Sequence, residues 1–286
     1  MSDSRTDTDY CCLRLRIEQG VAFVTLDHPP LNLLDAALTR ELGRLGKQLA
    51  ADDAVRVIVF DSADPDFFIA HSDVTELRAP DTPAPPERAA APGPFHRIVD
   101  RFRSMPKVTI GKLEGIARGG GSEFLLALDM RFAALGKAVL AQPEVAAGLL
   151  PGGGGTQRLP RLIGRGRALE VILGCADFPA ELAERWGYVN RALPPAELGP
   201  FVDALARRIA SFPPEALALA KAAVDAAGLP LDAGLVEEEY LFRRLLTGDE
   251  AKQRAARFLE LGGQTRAVEA GDFDAVLLGQ GERPAR

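Results

Sequence analysis

The sequence predicts an α/β protein, a layered core of strand–helix units followed by a helical tail. Three observations carry that expectation. Short, mostly apolar runs at residues 55–60 and 108–113 suit strands covered on both faces, and each follows a segment whose apolar residues recur at helical spacing. From residue 156 onward the pattern is almost wholly helical. Two glycine runs, at 119–121 and 152–155, mark the middle of the chain.

Taken in order, residues 1–9 are polar and are expected to be a flexible tail. Residues 12–18 and 21–27 are β-rich around Gln19-Gly20 and read as a hairpin, closed by His28-Pro29-Pro30. Asp35 is placed to cap a helix over 36–50, where Leu38, Leu42, Leu45 and Leu49 share a face. Residues 67–74 follow a polar turn and lead out of the sheet. The stretch 79–94 holds too much proline and alanine for a packed element and reads as a loop, either spacer or lid. Residues 95–105 form a helix that stops before Pro106. The first glycine run turns into a helix carrying Glu123, and 130–134 and 138–141 are short strands. Helices are then expected at 156–163, with Thr156 as its cap, and at 166–173, 179–186, 198–211, 215–227, 233–247 and 249–261.

With 286 residues, 47% apolar and 26% charged, the chain suits one large soluble domain or a domain with a smaller appendage. Its 34 basic and 40 acidic residues leave a net charge of −6, so no nucleic-acid footprint is expected. Cys11, Cys12 and Cys175 make neither a disulfide framework nor a metal-ligand spacing, which suits a reducing interior. The N-terminus MSDSRTDTDY resembles no signal or transit peptide, and no apolar run reaches the roughly 18–20 residues that span a bilayer. A cytoplasmic protein without membrane partners is expected.

The glycine runs invite three phosphate or nucleophile motifs, and each fails at a specific letter. A dinucleotide fingerprint ends on Phe124 when begun at Gly119 and on Arg158 when begun at Gly153. A phosphate-binding loop from Gly115 to Gly120 has Gly121 where lysine is required. A nucleophile elbow at Ser122 again ends on Phe124. What remains is backbone chemistry. Glycines entering a helix let a ligand approach the main chain, and the helix N-terminus offers unpaired N–H groups to a developing oxyanion. Two carboxylates lie close by in apolar company, Glu123 at the head of residues 124–128 and Glu144 between Gln142-Pro143 and Val145-Ala146-Ala147. Such groups are costly unless hydrogen-bonded or functional. Taken singly, Glu123 also reads as a first-turn acid complementing the helix dipole, and Glu144 as a loop acid paired with an arginine.

Four separated motifs, GGGSEFLLALDMRFAA, AQPEVAAGLLPGGGGTQRLPRLIGRGRALE, DHPPLNLLD and DSADPDFFIAHSDV, together resemble the crotonase superfamily and in particular its enoyl-CoA hydratases. The resemblance implies a crotonase-like spiral of repeated ββα units over residues 10–197. It also implies a C-terminal helical region at 198–270 that builds a homotrimer or a dimer of trimers, with flexible tails at 1–9 and 271–286. It implies an acyl-CoA thioester substrate whose oxygen accepts backbone N–H bonds from Ser72 and Gly120, with Ala70, Ser72, Asp73 and Gly120 lining the substrate and coenzyme path. Glu123 and Glu144 match the two glutamates that hold and activate a water. No cofactor is implied beyond the substrate's own coenzyme A, and no metal. The alternatives are double-bond isomerisation or other enolate chemistry at the same site, and a non-catalytic acyl-CoA-binding oligomer.

The sequence departs from the family pattern in two places. His71 stands where the family has glycine, so it either narrows the pocket, touches the acyl group or points away. The usual basic cluster after a C-terminal phenylalanine is replaced by Leu-Glu-Leu-Gly-Gly after Phe258, leaving Arg254, Arg257 and Arg266 as substitutes or as a solvated helix face. Asp73 reads equally as a coenzyme neighbour and as a turn cap.

Overall fold

The computed structural model describes residues 4–7, 9–75 and 89–279. The chain divides into two compact units, Met1–Pro214 and Glu215–Arg286.

The first unit opens with strands β1 (Ser4–Asp7), β2 (Leu13–Glu18) and β3 (Val21–Leu26). The expected hairpin forms: Glu18 pairs with Val21, and Gln19 and Gly20 both take positive φ, +50° and +80°, as a two-residue turn matched to strand twist requires. Residues 4–7 do not behave as the expected flexible tail. They pair antiparallel with β2, from Ser4 opposite Glu18 to Asp7 opposite Leu15, because the outer edge of β2 offers backbone groups that any side chains can cover. Residues 1–3 and 8 lie outside the described residues.

Helix α1 (Ala36–Ala50) is capped as its sequence predicts, with the Asp35 carboxylate accepting the Leu38 N–H at 2.8 Å and Leu38, Leu42, Leu45 and Leu49 buried. Three ββα units follow. Strand β4 (Val57–Ser62), β5 (Phe67–Ile69) and helix α2 (Pro94–Ser104) make the first. Strands β6 (Val108–Leu113) and β7 (Ile116–Arg118) and helix α3 (Gly120–Ala127) make the second. Strands β8 (Met130–Ala134) and β9 (Val139–Ala141) lead through a 3-10 turn (Glu144–Ala147) to helix α4 (Gly155–Ile163). Of the proline- and alanine-rich loop, residues 79–88 lie outside the described residues and Pro94 opens α2.

Each unit places its first strand in one sheet and its second in the other. The order β4-β6-β8 recurs in parallel in the larger sheet, and β5-β7-β9 in parallel in the smaller one. The chain therefore winds as a spiral, one strand of advance per turn in both sheets. Helix α5 (Arg165–Gly174), strand β10 (Phe178–Pro179), helix α6 (Ala180–Trp186) and strand β11 (Arg191–Leu193) extend this body. Helix α7 (Pro195–Ala210) belongs to it as well, which carries the unit past the expected boundary at residue 197 to Pro214. Phe201 packs edge-on to Phe132 at 5.2 Å, and Arg56 donates to the Ala210 carbonyl at 2.6 Å. The short strands β7, β10 and β11 have too few residues for a period-2 signal and were not separable in the sequence.

Helix α3 is the hub. Every residue from Gly120 to Ala127 is buried, and Phe124 meets Phe60 at 5.0 Å, Phe102 at 5.8 Å and Phe68 at 6.5 Å between ring centroids. Such a helix cannot leave its last carbonyls to water. Arg131, itself buried, donates to the carbonyls of Leu125 at 3.2 Å and Leu128 at 2.8 Å, and its Nε donates to Tyr188 at 3.1 Å. Burial pushes its guanidinium down to about 10, still charged at neutral pH, at the helix end where a cation is favoured.

The second unit comprises α8 (Pro214–Asp225), α9 (Leu231–Thr247), α10 (Asp249–Glu260) and α11 (Phe273–Leu277). Residues 273–277 thus form a helix where a flexible tail was expected, with Phe273 edge-on to Phe258 at 5.9 Å; residues 280–286 lie outside the described residues. Leu231, Leu235, Val236, Tyr240, Phe242 and Leu246 are exposed along α9. Arg254 and Arg257 pair with Glu250 and Glu260 on one helix surface. No described helix is long and apolar enough to cross a membrane.

Replacing Arg131 with Met leaves the Leu128 and Tyr188 carbonyls without their donor, the Leu125 carbonyl keeping the Leu128 amide, and is expected to lower the unfolding free energy by about 2–4 kcal/mol in urea denaturation. A loss below about 0.5 kcal/mol would refute the capping role.

Candidate active site

Three neighbouring strands of the smaller sheet deliver the site. Strand β7 lies between β5 and β9, in register Ile69 with Ala117 and Arg118 with Ala141. The residues that follow these strands, 70–73, 119–123 and 142–144, therefore emerge at one edge, as the parallel arrangement demands. The sequence-predicted groups Ala70, Ser72, Asp73, Gly120, Glu123 and Glu144 all come from these three segments.

Residues 70–73 are clamped from both sides. Ala70 N donates to Leu31 at 3.2 Å, Leu34 N donates to His71 at 3.0 Å, and Asp73 N donates to Leu34 at 3.2 Å; Arg118 N donates to Ala70 at 3.2 Å from β7. The Ser72 amide takes no part in this ladder. Across from it, Gly119 adopts φ +51° and turns β7 into α3, so that the Gly120 amide opens the helix with no acceptor inside it. The two segments touch. A Cβ on residue 120 would collide with Ser72 Oγ and lie 2.8 Å from a methyl of Leu34, so glycine is required by space there. The start of α3 and residue 72 are therefore in direct contact, with the amides of both left out of the surrounding backbone ladder.

Glu123 lies in the first turn of α3 and is 3% exposed. Its Oε1 accepts the amides of Gly153 at 2.7 Å and Gly155 at 2.8 Å. Gly154 between them has φ +115°, which lets both flanking amides face one oxygen. The second glycine run is thus a cradle for a carboxylate, and not for a phosphate. Burial raises the Glu123 carboxyl above its ordinary range, against the Gly155 and Gly153 bonds and the fields of His96 and Arg158. Arg158 donates to the Gly153 carbonyl at 3.1 Å and braces the run from behind.

Glu144 opens the 3-10 turn after β9. Its Oε1 comes within 2.9 Å of where a Cβ on residue 119 would stand, and its buried Oε2 has no hydrogen-bond partner among the described residues. Burial, with added repulsion from Glu123 and only its own amide in opposition, pushes its carboxyl from 4.5 up to about 7. The alternative of an arginine partner fails: among the described residues Glu144 has none. The two acids are near enough for the charge of Glu123 to raise Glu144.

His71 turns back on its own chain, its Nδ1 within 2.8 Å of the Ser72 carbonyl oxygen, so it braces the peptide after the Ser72 donor. Asp73 Oδ1 accepts the Thr75 amide and hydroxyl, both at 2.8 Å, which is the turn-capping role. Thr156 is not the cap of α4, because the helix begins one residue earlier behind Gly154. Two contributors were not recognised in the sequence. Buried Asn32 donates to Ser62 Oγ and to the carbonyls of Phe67 and Phe68 and accepts from His28 N, pinning residues 28–34 to β5; its only sequence signal is a lone amide in an apolar run. The Phe95 ring edge and Glu123 Oε2 would each lie 2.6 Å from a Cβ on residue 153, which makes Phe95 part of the wall around the acid.

The sequence profile of the enoyl-CoA hydratase/isomerase family matches residues 16–265. The short-chain-enoyl-CoA hydratase of Clostridium acetobutylicum is 31% identical over 248 residues, 86% of this chain and 94% of that protein. The probable enoyl-CoA hydratase of Rhizobium meliloti is 34% identical over 252 residues, 87% of this chain and 95% of its own. A Streptomyces avermitilis protein of known structure is 41% identical, covers 94% of this chain and 98% of its own, and superposes with a TM-score of 0.69.

The raised Glu144 carboxyl has a consequence for stability. The folded state holds this proton more tightly than the unfolded chain, so the contribution is complete below about 4.5 and is lost as pH rises through about 7. Glu144→Gln should therefore melt above the wild type near pH 8 and converge on it near pH 5. A melting-temperature difference that is the same at both ends of that range would contradict the shift.

Proposed function

We propose that this chain, which belongs to the enoyl-CoA hydratase/isomerase family, adds water across the 2,3 double bond of an enoyl-CoA thioester. The observation that carries the reading is that two carboxylates of unequal hydrogen bonding lie at the same edge as two backbone amides with no acceptor among the described residues. Ser72 and Gly120 are placed to donate to the thioester oxygen, with Ala70 and Asp73 beside them along the substrate path. Donors of this kind favour the enolate over the ground-state carbonyl, each typically by about 2.7–4 kcal/mol.

The roles of the acids follow from their surroundings. Glu123, with Oε1 held by two amides, has its ionised form supported and its Oε2 left to accept a proton from water. The water oxygen bonds to C3 as the double-bond pair shifts toward the thioester oxygen. Glu144, near 7 and without a donor on Oε2, delivers its proton to C2 as the enolate collapses. The product is a 3-hydroxyacyl-CoA, and solvent returns the proton from Glu123 to Glu144. No step calls on a cofactor other than the coenzyme A of the substrate. Presence of both acids favours hydration over isomerisation, and product identification separates the two.

The reading includes a cytoplasmic homotrimer or dimer of trimers. The exposed apolar row on α9 supports the second unit as the oligomerising surface, since patches of that kind on a soluble protein mark contacts. Light scattering should return three or six times the 30.6 kDa chain mass, and a monomer at micromolar concentration would remove this part of the proposal.

The catalytic part is tested by following loss of the conjugated thioester absorbance with a short enoyl-CoA. Glu123→Gln and Glu144→Gln should each lower kcat by about 100- to 10,000-fold with binding of a saturated acyl-CoA retained. Wild-type kcat/KM should fall as pH rises through about 7, where Glu144 loses the proton it donates. Either glutamine variant turning over at the wild-type rate would sink the assignment.

A further inference from the structure

Behind the two acids lies a buried hydroxyl that touches a neighbour of each. Tyr188, in the segment between α6 and β11, has no exposed surface. Its Oη is 2.5 Å from Ser122 Oγ and 3.4 Å from Gln142 Nε2. Ser122 directly precedes Glu123 on α3, and Gln142 stands two residues before Glu144 at the end of β9. Gln142 donates to the phenol oxygen, and the phenol and Ser122 hydroxyls share one hydrogen bond in which either oxygen can donate. Gln142 is itself fully buried, its Oε1 has no partner among the described residues, and its side-chain orientation therefore rests on this bond.

The phenol is firmly held at its other end. Tyr188 N donates to the Ala183 carbonyl at 2.8 Å, and its own carbonyl accepts from Arg131 Nε at 3.1 Å, the same guanidinium that caps α3. Burial pushes the phenol up to about 12, so it stays a neutral donor across the working pH range and has no proton to trade. Gly155 connects this network back to the acids, because a Cβ there would meet Glu123 Oε1 at 3.1 Å and Gln142 Nε2 at 3.2 Å. Any shift of Gln142 would press on the loop that cradles Glu123.

We infer that Tyr188 is a positioning residue that fixes the separation of Glu123 and Glu144 by tying α3 to the end of β9. The inference rests on the assignment of those two glutamates as the acid–base pair. Removing the hydroxyl leaves two buried polar groups unpaired and lets the α3 start and the 142–144 segment part. Wider separation weakens the repulsion that helps hold the Glu144 proton, so the alkaline limb of the pH profile should move toward lower pH.

The test is Tyr188→Phe, with Ser122→Ala as a companion that keeps the ring in place should the first fail to fold. For Tyr188→Phe, kcat should fall on the order of 10- to 100-fold with KM within about twofold of wild type, and the alkaline limb should shift downward. Ser122→Ala should move both in the same direction by less. Crystal structures of the two variants supply a readout independent of turnover: the distance between the Glu123 and Glu144 carboxylates should increase. An unchanged distance, or a wild-type kcat and pH limb in the folded variants, overturns the inference. A Glu144→Gln enzyme that still hydrates would instead overturn the underlying assignment, while the carboxylate distance would still decide what Tyr188 does.

Discussion

A helix with every residue buried has nowhere to leave its unpaired ends, and α3 is such a helix. Its C-terminal carbonyls are taken by Arg131, a charged group the fold must itself bury to reach them. Its N-terminal amides face the one edge where β5, β7 and β9 all release their chains. The same constraint leaves that end in want of an oxygen acceptor. The three phenylalanines packed on Phe124 hold the helix in the core. They make the position of Gly120 a property of the core, not of a loop.

The acids differ because of the backbone around them. Both are raised by burial, but only Glu123 has amide donors in opposition, contributed by a glycine run thirty residues away in sequence. Glu144 has its own amide alone, and the charge of Glu123 adds to the cost of ionising it. Two identical side chains are thereby separated into a group suited to accept a proton and one suited to give it. The asymmetry would vanish if the second glycine run moved, which is why Arg158 behind Gly153 and Phe95 beside it belong to the chemistry at one remove.

Much of this was legible before any coordinates. The hairpin at Gln19-Gly20, the Asp35 cap and the leucine face of α1 are local patterns, and they appear where local physics puts them. Membership of the enoyl-CoA hydratase/isomerase family and the crotonase-like spiral follow from motifs spread over most of the chain. The glutamates stood out because apolar neighbours make a carboxylate conspicuous. What was hidden depends on distance in sequence. Tyr188 meets Ser122 across 66 residues, and Asn32 meets Phe68 across 36, with nothing local to mark either as more than a core or loop residue. The tail at 4–7 was misread for a related reason: polar side chains say little about a strand whose pairing is made by backbone on an open edge. Helix α7 was assigned to the appendage because helical periodicity does not say which surface a helix covers.

The two glycine runs show how far composition can mislead about a site and what resolves it. Both bring flexible, donor-rich backbone to the same place, and both suggested an anion cradle. The deciding question is which amides are already occupied. Those of Gly153 and Gly155 are committed to Glu123 Oε1, so a ligand anion would have to displace an internal carboxylate to use them. Those of Ser72 and Gly120 are engaged by no group among the described residues, and the ladder of Leu34, His71 and Asp73 holds the Ser72 peptide without using its amide. One run is structural support for the acid, and the other is the one with an amide left for a ligand oxygen. This division comes from counting donors against acceptors, an accounting that becomes possible only when the fold has brought residues 72, 120 and 123 together with 153 and 155.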